Sequence, residues 1–262
     1  MLMMDIPLID QHRDTVAQQK SDARRLRGAA LSAVAFLALL WWVHLFQHLF
    51  GDFPALALHP RELAGLVGIL TAPLLHGSFA HLVSNSLPLL LLITLSLSVV
   101  PRAAKRAFAV IWLFSGIFVW AVGRDSGHIG ASGIDHGLMF FLFVIGIVRR
   151  DRPAVAAALI AFFLYGGMVL SILPNDPQIS WEYHLGGALA GTASALLWRR
   201  LDPAPMRKRY DWEDEDDSDA GMASDTTLEP VRPNDVPVLW QRQETPTGQV
   251  LPFPKRQPPR NE

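Results

Sequence analysis

The stretch that decides the fold is GASGIDHGLMFFLFVIGIV, residues 130–148, in which a motif of small residues opens a long apolar run. Crossing the hydrocarbon core of a bilayer as a helix takes about 20 mostly apolar residues. Half of the chain is hydrophobic (50%), only 18% is charged, and the apolar residues are clustered. Six stretches approach the required length: 29–49, 81–100, 107–122, 133–148, 154–173 and 182–198. The sequence therefore predicts an all-α polytopic membrane protein, a bundle of six transmembrane helices.

Lysine and arginine alternate between rich and poor segments along this series of spans. Cytoplasmic loops carry an excess of both residues. Basic residues are frequent before the first span and after the second, fourth and sixth, whereas the other loops carry only Arg61, Arg124 or none. The pattern predicts that both termini are cytoplasmic. It also supports the count of six, because a wrong number of helices would scramble the alternation.

Composition divides the chain into three parts. Residues 1–28 are a polar N-terminal segment, residues 29–200 form one helical membrane domain, and residues 201–262 are acidic at 211–217 and then rich in proline. Such a tail cannot bury enough apolar surface to fold, so we expect it to be disordered. It is either a solvated tail, which we prefer, or a Pro-rich ligand for a partner. The loop at 50–80 is unusually apolar, and we expect it in the membrane interface or partly within the membrane.

Three polar side chains fall at one depth in the predicted bundle. Ser132, His184 and Asn85 each lie fourteen to sixteen residues from the last apolar residue of their span. At a rise of about 1.5 Å per residue, this separation is roughly 21–24 Å. Since the hydrocarbon core is about 30 Å thick, all three share a level several ångströms below the outer surface.

A serine, a histidine and amide donors at one level are the parts of an acyl-transfer site. Neutral histidine can take the proton of a serine hydroxyl, and fixed donors can stabilise the charge that develops on a carbonyl oxygen. His81 and Asn85 are four residues apart on one helix face, and Ser132 opens a helix, where free backbone N–H groups favour an anion. Glycines would permit close backbone approach around these groups: Gly130 and Gly133 beside the serine, and Gly187 and Gly191 on the face of the histidine.

These motifs resemble the rhomboid family of intramembrane serine proteases. The family pattern is H-x-x-x-N on the second helix, G-x-S-G opening the fourth and H-x-x-G-x-x-x-G on the sixth, and this chain has all three. It also has Leu75-His76 followed by His81 five residues on, as rhomboids often do. The resemblance covers about residues 29–200.

The resemblance implies a fold, a mechanism and a set of partners. It implies a rhomboid-like six-helix membrane domain with Ser132 as nucleophile and His184 as general base. It also implies an oxyanion hole formed by His81, Asn85 and the Ser132 amide, and a cap formed by the loop ahead of His184. The implied substrates are transmembrane proteins in the lipid bilayer, cut near the outer face of their spans without a cofactor. The implied location is a bacterial inner membrane.

One position departs from the rhomboid pattern. Rhomboids commonly place tyrosine or phenylalanine four residues after the serine, where the ring packs on the catalytic histidine. This chain has His136 there, preceded by Asp135. For His136 we favour packing against His184, and an orienting role for either residue is the alternative. For Asp135 we prefer a place at the helix N-terminus, in an S-x-x-D capping pattern.

Several classes of site and function are disfavoured. The chain has no cysteine, which excludes disulfides, thiol catalysis and thiolate metal sites. His44 and His48 share a helix face without a carboxylate partner, so we predict no metal site, and we expect no cofactor and no nucleic-acid partner. Two alternatives stay open: a non-catalytic rhomboid-like protein that binds membrane-protein clients, which the intact serine and histidine argue against, and a small-solute transporter, whose repeats or broken helices are not evident.

Overall fold

The computed structural model describes residues 9–203 except 175 and 177, with side chains from residue 17 onward. Its helices are α1 Ile9–Phe50, α2 Gly68–Thr71, α3 Phe79–Val99, α4 Pro101–Val122, α5 Ser132–Arg149, α6 Arg152–Tyr165 and α7 Trp181–Trp198. A 3₁₀ helix, Gly166–Ile172, continues α6. The predicted all-α fold is confirmed. The expected disorder of the C-terminal tail, and any partner for it, concern a segment that lies outside the described residues apart from 201–203.

Five helical segments of the described chain are long and apolar enough to cross a membrane, as a polytopic membrane protein requires: Ala17–Phe50, Phe79–Val99, Pro101–Val122, Ser132–Arg149 and Arg152–Ile172. The helix of the sixth predicted span, α7, has 18 residues but is not among them, because it is rich in small residues and begins with Glu182 and His184. It packs along α4 and α5 and buries most of one side against them. The small and polar side chains on this side of α7 face protein, so α7 differs from the other spans in composition, while its other side exposes Leu189 and Leu197.

The loop between α1 and α3 is built from short helical turns rather than from a spanning helix. They are Pro54–Leu56, Ala64–Val67, α2 and Ala72–Leu74. Leu58 and His128 exchange backbone hydrogen bonds of 3.0 and 2.9 Å, and Arg61 donates to the Gly123 carbonyl at 2.7 Å. The loop is thus tied to the segment that leads into α5. Its apolar side chains at Leu63 and Leu70 remain exposed, as expected for a loop in the membrane interface.

The opposite end of the bundle is held by charged side chains that satisfy helix ends. The Asp202 carboxylate accepts the backbone N–H groups of Arg102 and Ala103 at 3.1 and 2.9 Å, which caps α4. Asp151 caps α6 by accepting the N–H of Ala154 at 3.0 Å. Arg149 donates to the Asp151 carboxylate at 2.8 Å and to the Asp202 carbonyl at 2.7 Å. The ends of α4 to α7 are therefore fixed relative to one another.

Helices α5 and α7 meet through glycine at two successive turns. A Cβ atom at Gly187 would overlap the carbonyl of Gly133, and one at Gly191 would overlap the carbonyl of Gly137. Backbone atoms cannot move aside as a flexible side chain can, so only glycine permits this approach. The sequence pattern had singled out Gly187 and Gly191, but the role of Gly137 emerges only from the structure.

Gly191→Ala should lower the free energy of unfolding by roughly 1–3 kcal/mol, the usual cost of forcing a methyl group into a filled contact. The matched control is Gly28→Ala, since a Cβ atom at Gly28 meets nothing within 4 Å. The measurement is the thermal midpoint of each purified protein in detergent. A midpoint for Gly191→Ala equal to that of wild type would contradict the account of this helix contact.

Candidate active site

The structure joins the serine of α5 to the histidine of α7. The Ser132 hydroxyl oxygen lies 2.9 Å from Nε2 of His184, and the other ring nitrogen, Nδ1, lies 3.0 Å from the Ser171 carbonyl oxygen. A carbonyl can only accept, so Nδ1 carries the hydrogen in the neutral ring and Nε2 is left to accept the hydroxyl proton. This is the tautomer that a general base for Ser132 requires.

Ser171 is a partner that sequence reasoning missed. It lies in the last turn of the 3₁₀ helix that follows α6, where backbone carbonyls have no partner within the helix. Its carbonyl is therefore available to His184. The adjacent glycines Gly166 and Gly167 mark the point where α6 changes to 3₁₀ geometry, but nothing in the sequence pattern indicates which carbonyl would face the histidine.

The ring of His136 stacks on the ring of His184. The centroids are 3.9 Å apart and the planes differ by 11°. Nδ1 of His136 lies 2.7 Å from the Ser132 carbonyl, and Nε2 lies 2.9 Å from the Ser171 hydroxyl. The ring thus holds the position that packing against His184 predicts. It also links the Ser132 carbonyl to Ser171, whose own carbonyl accepts from His184.

A second polar group, Asn85 of α3, lines the cavity that Ser132 and His184 share. The side-chain nitrogen of Asn85 lies 3.1 Å from Nε2 of His76, whose own backbone N–H donates to the Gln47 side chain of α1 at 3.1 Å. Burial, reinforced by the nearby His81, lowers the pKa of His76 to about 3, so its ring is neutral and Nε2 accepts the amide hydrogen. An Asn amide carries two hydrogens, and the second stays available to a ligand. His76 therefore orients Asn85.

The loop before Ser132 needs glycine for two reasons. Gly130 has φ +110°, a backbone conformation that residues with side chains rarely adopt. A Cβ atom there would also lie 2.6 Å from the ring of His81. Gly130 therefore brings the start of α5 against His81, while its own N–H donates to the Ala72 carbonyl at 2.9 Å.

All four side chains assigned to the chemistry line one cavity of about 920 Å³: Ser132, His184, His81 and Asn85. The cavity is lined by Arg124 and residues 126–129 ahead of α5, by residues 176 and 178–180 ahead of α7, and by parts of α3 and the end of α6. Val83 and Leu87 of α3 also line it and are 43% and 63% exposed, so the cavity opens sideways between these helices.

An ion pair connects the segment ahead of α5 to the start of α7. Arg124 donates to the Glu182 carboxylate at 2.8 Å and to the Ile179 carbonyl at 2.6 Å, and Glu182 is fully buried. Beside it, Nδ1 of His128 lies 2.6 Å from the Ser180 hydroxyl. Burial lowers the pKa of His128, which keeps its ring neutral. The only sequence signals for this contact were a lone arginine in one loop and a lone acid at the start of an apolar helix.

The S-x-x-D pattern predicts that Asp135 caps α5, but the structure shows no such hydrogen bond. The N-cap residue is Ala131 and no side chain bonds to the helix end. The Asp135 carboxylate is fully buried, lines the same cavity, and has no hydrogen-bond partner among the described residues. Asp135 thus lies in the first turn of α5, as expected, but its carboxylate makes no capping hydrogen bond. The orienting alternative finds no support either, since no hydrogen bond joins Asp135 to His184.

The arrangement has the groups that acyl transfer requires. It offers a hydroxyl nucleophile, a base in the correct tautomer, an amide donor and a helix N-terminus around one cavity. In the part of the chain that the structure describes, no three His, Cys, Asp or Glu side chains are grouped so that they could hold a metal ion.

This chain is similar to known proteins. The family model described as the rhomboid domain matches residues 64–201. Uncharacterized proteins of Mycobacterium tuberculosis and Mycobacterium bovis are each 36% identical over 186 residues, 67% of this chain and 75% of theirs. An uncharacterized protein of Mycobacterium leprae is 34% identical over 201 residues, 71% of this chain and 76% of its own. The match to the family model includes the positions of Ser132, His184 and Asn85. This chain belongs to the rhomboid family.

Proposed function

We propose that this protein is an intramembrane serine protease that hydrolyses peptide bonds in or near the transmembrane segments of other membrane proteins. The observation that carries the proposal is the 2.9 Å contact between the Ser132 hydroxyl and Nε2 of His184, with Nδ1 held by the Ser171 carbonyl. A serine and a histidine in this geometry have little structural purpose at the wall of an open cavity. The geometry therefore favours catalysis over the alternative of an inactive rhomboid-like protein that only binds clients.

The proposed reaction begins with attack of the Ser132 oxygen on the scissile carbonyl. His184 takes the hydroxyl proton through Nε2 and then gives it to the leaving amine. Water from the cavity attacks the acyl-enzyme, and the same histidine serves as base again. The carbonyl of Ser171 stabilises the imidazolium that forms in each step, in the place that a carboxylate takes in a triad.

The oxygen of the tetrahedral intermediate carries a negative charge. Hydrogen-bond donors from α3 and from the start of α5 can stabilise it. Asn85 supplies its second amide hydrogen, and the Ser132 backbone N–H is free at the N-terminus of its helix. His81 lines the cavity between them, beside Gly130. These three groups form the proposed oxyanion hole.

The membrane setting completes the proposal. The apolar helices place the protein in a lipid bilayer, and the distribution of arginine and lysine supports cytoplasmic termini. The active-site end of the bundle then faces the outer side of a bacterial inner membrane. A substrate helix reaches the cavity sideways between α3 and α6, and it must unwind at the cut, because a regular helix keeps its carbonyls in internal hydrogen bonds.

Ser132→Ala and His184→Ala should each abolish cleavage of a transmembrane substrate in detergent, by roughly 10³-fold or more in kcat, with folding preserved. The double variant should be no worse than either single one, since the two side chains act as a unit. Ser98→Ala and His48→Ala, distant changes of the same kinds, are the controls. Losses that multiply in the double variant would contradict the dyad.

Asn85→Ala should lower kcat by roughly 10²–10³-fold and leave KM nearly unchanged, because an oxyanion donor acts mainly in the transition state. Cleavage should remain measurable, since the Ser132 amide and His81 stay in place. Steady-state kinetics on a fluorogenic transmembrane peptide give both constants. Wild-type kcat in a correctly folded Asn85→Ala protein would remove Asn85 from the oxyanion hole.

His136→Phe should retain activity within roughly tenfold and keep the wild-type pH profile of kcat/KM, because a phenyl ring preserves the stack on His184. His136→Ala should lose more, since it removes the stacking surface. The measurement is kcat/KM against pH for the three proteins. Collapse of activity at every pH in folded His136→Phe would show that the hydrogen bonds of this ring are essential.

A further inference from the structure

Asp135 lines the cavity, but neither the proposed mechanism nor the packing of the helices explains it. It lies three residues after Ser132, so the two side chains share a face of α5. Its side chain is 0% exposed, and neither carboxylate oxygen has a hydrogen-bond partner among the described residues. A buried carboxylate without a partner is costly, and folded proteins retain such a group where a ligand completes it.

The surroundings of Asp135 form a distinct part of the cavity. Tyr165, at the end of α6, is close enough for an electrostatic interaction with Asp135, and Met168 follows one turn later. The cavity opens between α3 and α6, where Leu87 is exposed. A polypeptide bound at Ser132 therefore lies in the cavity that Asp135 lines.

The charged residues that line the cavity indicate which chemical group would complete Asp135. Arg124 is the only lysine or arginine among the described lining residues, and it already pairs with Glu182 at the opposite, loop-covered side. An isolated charge is disfavoured at a fully buried site, so Asp135 is an anion only when a cation lies beside it. An ammonium or guanidinium group supplies both the donor and the opposite charge.

We propose that Asp135 is a specificity residue that binds a lysine or arginine side chain of the substrate segment, an inference that rests on the proposed protease function. A basic side chain within a membrane span is costly in lipid and finds a partner only inside a protein. Transfer of that side chain from lipid to Asp135 favours the binding of spans that carry a basic residue near the cut. The substrates selected in this way are membrane proteins with an uncompensated basic residue in or beside a span.

The test is a scan of one cleavable transmembrane peptide, in which each position flanking the cut is changed in turn to lysine, glutamine or methionine. Methionine matches lysine in length without its charge. Wild-type enzyme should cut the lysine peptide roughly tenfold or more faster in kcat/KM at one position, because a hydrogen bond between charged groups is lost with methionine. The kcat/KM for the glutamine peptide should fall between the values for the lysine and methionine peptides.

Asp135→Asn keeps the shape of the side chain and removes its charge, so it should reduce the ratio of lysine to methionine at that position to about one. Asp125→Asn is the matched control, an identical change at an exposed site in the loop ahead of α5. It should preserve the wild-type ratio. Cleavage of the methionine peptide by Asp135→Asn shows that its catalytic groups are intact.

The outcomes separate this inference from the proposed function. Wild-type enzyme that cuts all the peptides without favouring lysine at any position overturns the inference alone, and this result needs no variant to fold. A lysine preference that survives in active Asp135→Asn overturns it as well. Failure of wild-type enzyme to cut any peptide, with no reaction of Ser132 toward a fluorophosphonate, overturns the proposed protease function and the inference with it.

Discussion

The close contact between α5 and α7 is the constraint on which the site depends. Gly187 against Gly133, and Gly191 against Gly137, bring two helix backbones together where any side chain would force them apart. That separation sets the distance between Ser132 on one helix and His184 on the other. A hydrogen bond tolerates an error of only a few tenths of an ångström, so the chemistry of the serine is fixed by residues that have no functional groups.

The composition of α7 follows from the same constraint. A helix that contributes the base, packs through glycine and carries a buried glutamate cannot also be an apolar span of the ordinary kind. Helices α4 and α5 cover the side of α7 that carries these groups, and Arg124 compensates the charge of Glu182 at its start. The polar groups of the site are thus placed in the membrane domain without exposure to lipid.

Sequence reasoning reached the parts of this structure that depend on local pattern. Apolar runs gave the helices, residue spacing gave the shared depth of Ser132, His184 and Asn85, and the glycine spacing on α7 singled out the face that meets α5. It could not identify the Ser171 carbonyl, because every residue has one and only the path of the chain after α6 decides which faces His184. It also missed the Arg124–Glu182 pair, whose partners are 58 residues apart. It placed Asp135 in the first turn of α5, but the spacing alone could not distinguish a capping carboxylate from one that is buried without a partner.

The most direct test of the central claim is covalent labelling of the folded wild-type protein by a fluorophosphonate, with the modified residue located by mass spectrometry. Such a reagent reacts with a serine only when a base takes its proton and donors stabilise the resulting oxyanion. The account predicts labelling on Ser132, and loss of labelling in both Ser132→Ala and His184→Ala. Absence of labelling in folded wild-type protein, or equal labelling in His184→Ala, would contradict it.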